Sequence, residues 1–212
     1  MAVTSIKPGT CCFTTFDHQG TPKGKHEELF SVDTYVTGTS SPNDRVIVLF
    51  TDIYGHKYNN TLLVADQLAE AGFKVFIPDI LFNDPFGGEG GKTEIKPEEV
   101  PAFLACHGVN KTKILCEKYV YALKKAYNPK FLGVLGYCFG AKFAVECIKG
   151  GNLLADACAI AHPSLLDIQD IAEIAKPILI SAADDDFVFV PEFRRLTEDK
   201  LSEIGARYQI DL

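Results

Sequence analysis

Cys138 stands in the run Gly136-Tyr137-Cys138-Phe139-Gly140, a spacing in which a thiol can act as a nucleophile. A short apolar stretch, Phe131–Leu135, precedes it, and a helix-compatible stretch, Ala141–Ile148, follows. Strand, sharp turn and helix in that order form the elbow that lifts a nucleophile above an α/β sheet, here with cysteine in place of serine. The glycines two before and two after serve a steric purpose. The elbow residue is strained, and a Cβ at either flank would collide with the neighbouring strand or helix. Phe139 would then offer its backbone N–H, at a helix N-terminus, to an oxyanion. The plainer reading, a small buried residue in a tight turn, leaves both glycines without a purpose.

Two other strand ends carry reactive side chains. Thr51-Asp52-Ile53-Tyr54-Gly55-His56 follows the VIVLF run at Val46–Phe50. A second oxyanion donor arises at this point of such folds from a backbone N–H, and Ile53 is placed to give it. Asp52 is a carboxylate at a buried strand end. It either hydrogen-bonds the thiol or its base, or caps the next turn. The third end is Asp184-Asp185-Asp186, after Pro177–Ala182. An acid there orients the histidine of a hydrolase triad. An acidic run is otherwise a solvated turn, so one of the three is expected to be functional.

The base is the conflict. Triad order in such a fold is nucleophile, acid, histidine, and none of the five histidines follows Asp186. His162, in AIAHPSL, ends the strand after the elbow helix and is expected to line the pocket. A satisfied turn histidine is the alternative, and a substitute base the least favoured role. His56 and His107 read as loop residues, His18 and His26 as solvated ones.

The elements that must position these groups alternate along the chain. Phe30–Val36 (FSVDTYV) has period two and reads as an early edge strand. Val46–Phe50 and Lys74–Pro78 are continuous apolar runs, as in strands buried on both faces. Asn60–Ala71 has a helical apolar face, with Asn59 or Asn60 as cap and Gly72 as stop. Asn83–Gly91 reads as loop. Lys111–Tyr127 reads as a long helix with Ile114, Leu115, Tyr119, Val120 and Leu123 inward. Strands at Ala155–Ala161 and Pro177–Ala182, a helix at Pro191–Ile204 and the start of a strand at Tyr208–Leu212 complete the set. Strands alternating with helices mean α/β with a mainly parallel sheet, and ligands of such sheets gather at the carboxyl ends of the strands.

Composition narrows the function classes. The 212 residues, 47% hydrophobic and 23% charged, suit a single domain, 1–212, with a substantial core. The net charge of -7 argues against a nucleic-acid partner, and no run reaches the roughly 20 apolar residues of a membrane span. The N-terminal MAVTSIKPGTCC lacks the apolar core of a signal peptide. Seven cysteines without a C-x-x-C pair read as reduced thiols in a cytoplasmic protein. Cys106, Cys116, Cys147 and Cys158 are expected in the core, and Cys11-Cys12 as structural thiols near the terminus. No metal and no cofactor is expected.

GYCFGAKFAVE, TDIYGHKYNN, PDILF at Pro78–Phe82 and ISAADDDFVFVP at Ile180–Pro191 together resemble the dienelactone hydrolase family (carboxymethylenebutenolidases), most of all its fungal members. The resemblance implies an α/β-hydrolase fold with a Cys-Asp-His triad that opens enol-lactones or related esters through a thioester. It assigns Cys138 as nucleophile and Asp186 as acid, from its distance to Pro191, with Asp185 as the alternative. It assigns Ile53 and Phe139 as the oxyanion amides, and puts Asp52, Tyr54, Phe82 and His162 on the pocket wall. Asp52 falls where bacterial members carry a glutamate that controls the nucleophile's protonation. The family histidine follows the last strand, past Leu212, so a truncated C-terminal strand and helix are expected here. Asn83 falls near a position where an arginine holds the dienelactone carboxylate, so dienelactone itself is not the expected substrate. The expected partner is a small ester or lactone, and the expected state a monomer or weak homodimer. A pseudoenzyme that only binds ligand is the competing reading. A thiol redox sensor is a third, without a resolving cysteine near Cys138 in sequence.

Overall fold

The computed structural model describes residues 18–38, 44–88, 97–184 and 186–212. Among them eight strands form one sheet: β1 (Lys25–Leu29), β2 (Val32–Thr37), β3 (Arg45–Phe50), β4 (Lys74–Pro78), β5 (Phe131–Tyr137), β6 (Ala157–Ala161), β7 (Ile178–Ser181) and β8 (Tyr208–Asp211). Their order is β1-β2-β4-β3-β5-β6-β7-β8. β1 and β2 pair antiparallel, as do β2 and β4, and every later pair is parallel. The crossovers are α1 (Asn59–Glu70), α2 (Val100–Cys106), α3 (Val109–Tyr127), α4 (Phe139–Glu146), α5 (Ile168–Ala172) and α6 (Pro191–Glu203).

β3 shows why the sheet is covered on both faces. Val46, Val48 and Phe50 point into a core shared with Cys116, Val120 and Leu123 of α3 and Phe143 and Ala144 of α4. Leu49, one residue out of phase, points into the opposite core with Leu62 and Ala65 of α1. A period of two on a strand between two layers requires apolar residues at every position. Cover is incomplete beyond β6: Leu179 of β7 is exposed while Ile178 and Ile180 are buried.

Several expectations need correction. The FSVDTYV run is not one edge strand. Phe30 and Ser31 both have positive φ, +55° and +64°, the twist that a tight hairpin turn needs, and the edge is the polar KHEEL of β1. Neither Asn59 nor Asn60 caps α1. The N-cap is Tyr58, because both amides are spent on the backbone of His18: Asn59 Nδ2 donates to its carbonyl at 3.0 Å, and Asn60 Oδ1 accepts its N–H at 2.8 Å. Gly72 does stop the helix, at φ +90°. Ile114 faces solvent, and the buried stripe of α3 is Thr112, Cys116, Tyr119, Val120 and Leu123. Cys106 is exposed, since six residues on from buried Val100 it falls on the far side of α2. Each of the four residues of β8 pairs with one of β7. Cys11 and Cys12 lie outside the described residues.

Candidate active site

The parallel strands end along one edge of the sheet, and backbone bonds past their ends hold the following loops side by side. The Cys138 N–H donates to the Ala161 carbonyl at 3.1 Å, His162 N–H to the Ser181 carbonyl at 2.9 Å, and Ala182 N–H to the Asp211 carbonyl at 2.8 Å. The loop after β6 is also tied back to the elbow, because Ser164 N–H donates to the Cys138 carbonyl at 3.1 Å.

Cys138 has φ +48° and ψ −110°, a backbone state that costs a non-glycine residue about 1–3 kcal/mol. Packing holds it there. A Cβ on Gly136 would lie 2.6 Å from the Cα of Ala141, and one on Gly140 would run into the backbone carbonyls of Phe50 and Thr51. The elbow therefore presses α4 against β3 at closest approach. Cys138 is half-buried, whereas Cys116, Cys147 and Cys158 are fully interior, where burial pushes their thiols upward in pKa. The Cys138 Sγ lies 3.9 Å from Ser164 Oγ.

Phe139 is the first residue of α4, and Ile53 sits in the turn just after β3, whose Phe50 pairs with Gly136 of β5. Both are buried. Asp52 shapes this turn: its Oδ1 accepts the Tyr54 N–H at 2.9 Å, the contact expected of a turn cap. Burial pushes the Asp52 carboxyl up to about 6, against the pull of the Tyr54 and Gly55 amides. Its charge bears in turn on Tyr137, whose phenol is raised first by burial and then by Asp52. Tyr54 is buried with its ring 5.2 Å from that of Tyr58. A cavity of about 120 Å³ beside it is lined by Tyr54, His56, Lys57, Asn83 and Pro85. Phe82 lies farther along, in the loop four residues past β4, with the Lys111 ammonium 3.7 Å above its ring.

Asp186 is buried and Asp184 exposed, while Asp185 lies outside the described residues. Asp186 Oδ1 accepts the Val188 and Phe189 N–H groups at 2.8 and 2.9 Å. Its Oδ2 is buried and has no hydrogen-bond partner among the described residues. His162, with φ +36°, stacks on Tyr137 at 6.2 Å between centroids. Much of its surface is open, yet crowding of the packed side of the ring lowers its pKa, and the Asp186 charge works against that. His107, read from sequence as a loop residue, is interior. Its Nδ1 is 2.9 Å from the Phe103 carbonyl and its Nε2 3.2 Å from that of Leu81. His56 lies in the loop after β3, as read from sequence, and is buried there.

The model of the Dienelactone hydrolase family matches residues 32–212. The chain belongs to that family. Hydrolase tropI of Talaromyces stipitatus is 31% identical over 98% of this chain and 83% of its own length. The human carboxymethylenebutenolidase homolog is 23% identical over 88% of this chain and 75% of its own. Among solved structures, the dienelactone hydrolase from Anabaena variabilis superposes with a TM-score of 0.62 at 13% identity, covering 89% of this chain and 85% of that one. The sheet order and crossovers are those of the α/β-hydrolase fold, and this family member is a hydrolase.

Membership sharpens the view of two residues that motif reading passed over. Tyr137 lies between Asp52 and His162, touched by the charge of one and the ring of the other. Ser164 approaches the thiol. Tyr137 was legible as the residue beside the nucleophile. Ser164 was not, because only the β6 turn brings it back over the elbow. No helix among the described residues is long and apolar enough to cross a membrane.

Proposed function

We propose that this chain hydrolyses small esters or lactones with Cys138 as nucleophile, through a thioester. The observation that carries the reading is the Cys138 backbone, held at φ +48° between two glycines that admit no Cβ. Strain of that kind persists only where surrounding packing enforces it, and it leaves the thiol at the N-terminus of α4. The Cys138 thiolate attacks the carbonyl carbon, a C–S bond forms, and the carbonyl electron pair moves onto oxygen. The Ile53 and Phe139 amides are the donors proposed to receive that charge. Collapse expels the alcohol, which takes a proton. Water then attacks the thioester carbon, releasing the acid and the thiol. Thiolate is both a good nucleophile and a good leaving group, which suits an activated ester.

Asp186 is the proposed acid. Its buried Oδ2 lacks a hydrogen-bond donor among the described residues, and the triad scheme gives that oxygen the N–H of a histidine. The family places this histidine after the last strand, past Leu212. Asp52, Tyr54, Phe82 and His162 are the proposed pocket wall, with His162 beside the acid rather than serving as base. The competing reading, a module that binds ligand without turnover, draws on the same unpartnered oxygen.

The test is to mix the 212-residue chain with a p-nitrophenyl ester and follow intact mass and peptide masses. An acyl adduct on Cys138 that is absent in Cys138→Ala is expected, with slow release. Appending a histidine-bearing family segment after Leu212 is expected to raise turnover by about 10²–10⁴-fold, the usual worth of general-base assistance. Reversible ligand binding with no adduct on Cys138 would replace the hydrolase with the binding module.

A further inference from the structure

Away from the elbow, three side chains from three elements meet beneath the loop that carries Ile53. His26 of β1 and Asp33 of β2 are diagonal neighbours across the hairpin, since His26 pairs with Tyr35. His26 Nδ1 lies 3.3 Å from Asp33 Oδ1. His56, in the loop after β3, reaches the same carboxylate from the other side, with Nε2 3.1 Å from Asp33 Oδ2. The two imidazoles meet edge to face, 5.4 Å between centroids.

The other nitrogen of His56 faces a second carboxylate. Nδ1 lies 3.4 Å from Asp79 Oδ1. The Asp79 carboxylate also accepts the Leu81 and Asn83 N–H groups, at 3.0 and 2.5 Å, and β2 is tied to it through Asp79 N–H to the Asp33 carbonyl at 2.8 Å. His56 thus stands between two carboxylates, Asp79 at Nδ1 and Asp33 at Nε2. That Nε2 is buried, on a residue only 4% exposed, and makes no hydrogen bond. It faces the Asp33 oxygen closely but off the line of a ring N–H.

We propose that His26 Nδ1, the Asp33 carboxylate and His56 Nε2 form a binding site for a divalent transition metal of the zinc type. The three ligating atoms lie within 4.8 Å of one another. Two imidazoles and one carboxylate suit a borderline-soft ion and leave positions for water. Asp79 supplies the outer carboxylate that typically holds a metal-bound histidine in its tautomer. His26 and Asp33 are each about a third exposed, with side chains at 34% and 30%, so the ion has an entry path. One cation competes: Lys57 Nζ is 3.3 Å from Asp33 Oδ2. It is itself 36% exposed and can swing into solvent as the ion enters. A bound ion would clip the β1–β2 hairpin to the loop that carries Asp52 and Ile53.

The experiment titrates Zn2+ into the full chain, against a chromophoric chelator, after accessible thiols are capped with iodoacetamide. One saturable site is expected. It is lost in His26→Ala and in Asp33→Asn, and weakened about 10–100-fold in Asp79→Asn, the usual effect of removing an outer carboxylate. Lys57→Met tightens it. His26 is exposed, so His26→Ala keeps the fold, and its circular dichroism verifies this. With Co2+ on the uncapped chain, ligand-field bands of a nitrogen and oxygen site are expected. No saturable binding, binding indifferent to His26→Ala and Asp33→Asn, or a thiolate charge-transfer band at the first equivalent of Co2+ would each overturn the assignment.

Discussion

Asp52→Asn is expected to stabilise this protein at alkaline pH and to do almost nothing in acid. Burial raises the Asp52 carboxyl from 3.8 to about 6. Below 3.8 the folded and unfolded chains both carry the proton, and the group contributes no difference. Between 3.8 and about 6 the unfolded chain has ionised while the folded one still holds its proton, so stability falls as pH rises. Above 6 the full cost of keeping a charged carboxylate in the site is present. The gap from 3.8 to about 6 corresponds to about 3 kcal/mol at 1.36 kcal/mol per pH unit. Asparagine keeps an oxygen to accept the Tyr54 N–H, the bond Asp52 makes at 2.9 Å, and removes the charge.

The variant should therefore gain about 3 kcal/mol at pH 8. For a chain of this size that is roughly 6–12 °C in Tm, at about 2–4 °C per kcal/mol. At pH 4 the two proteins should melt within a degree or two of one another. Urea denaturation at pH 4, 6 and 8 measures both limits and the crossover. A gain of equal size at all three values would mean that asparagine improves packing rather than removing a charge. A loss at pH 8 would mean that the folded loop needs the negative charge, and the argument from burial would be refuted.

The remaining predictions concern the elbow and the acid. Gly140→Ala should destabilise the fold by about 1–3 kcal/mol or more, because its Cβ meets the rigid carbonyls of Phe50 and Thr51. Gly151→Ala, whose Cβ meets nothing within 4 Å, should stay within about 0.5 kcal/mol of the parent. Equal urea midpoints for the two would show that the elbow is not tightly packed. Asp186→Asn, in a chain supplied with the triad histidine, should lower kcat by about 10⁴ by analogy with the corresponding change in serine proteases. Asp184→Asn, at an exposed position, should leave kcat unchanged, and the reverse pattern would move the acid to Asp184.

Local sequence signals located most of the fold because each rests on short-range chemistry. VIVLF could only be a strand covered on both faces, and Gly72 could only end a helix. GYCFG could be placed because its two glycines answer to contacts within a few residues and one neighbouring strand, and those contacts are present. Where the readings slipped, a partner distant in sequence had intervened. Asn59 and Asn60 look like caps until the His18 backbone claims both amides. KHEEL looks like solvated chain until pairing with β2 makes it an edge strand. Ile114 carries the right period for the inner face of α3, but the docking of that helix turns Cys116 inward instead.

The sequence by itself determined the α/β class and the family, and it put GYCFG between a strand and a helix, since all three are written in contiguous residues. Only the tertiary structure showed that Asp186 is buried, with an Oδ2 that has no hydrogen-bond partner among the described residues, while Asp184 is exposed, because both depend on how the loop after β7 packs. It alone raised Asp52 to about 6, because desolvation is a property of everything packed around a group. It alone gathered His26, Asp33 and His56 from two strands and a loop. Their separations of seven and 23 residues follow no ligand motif, and the juxtaposition exists only once β1, β2 and β3 share a sheet.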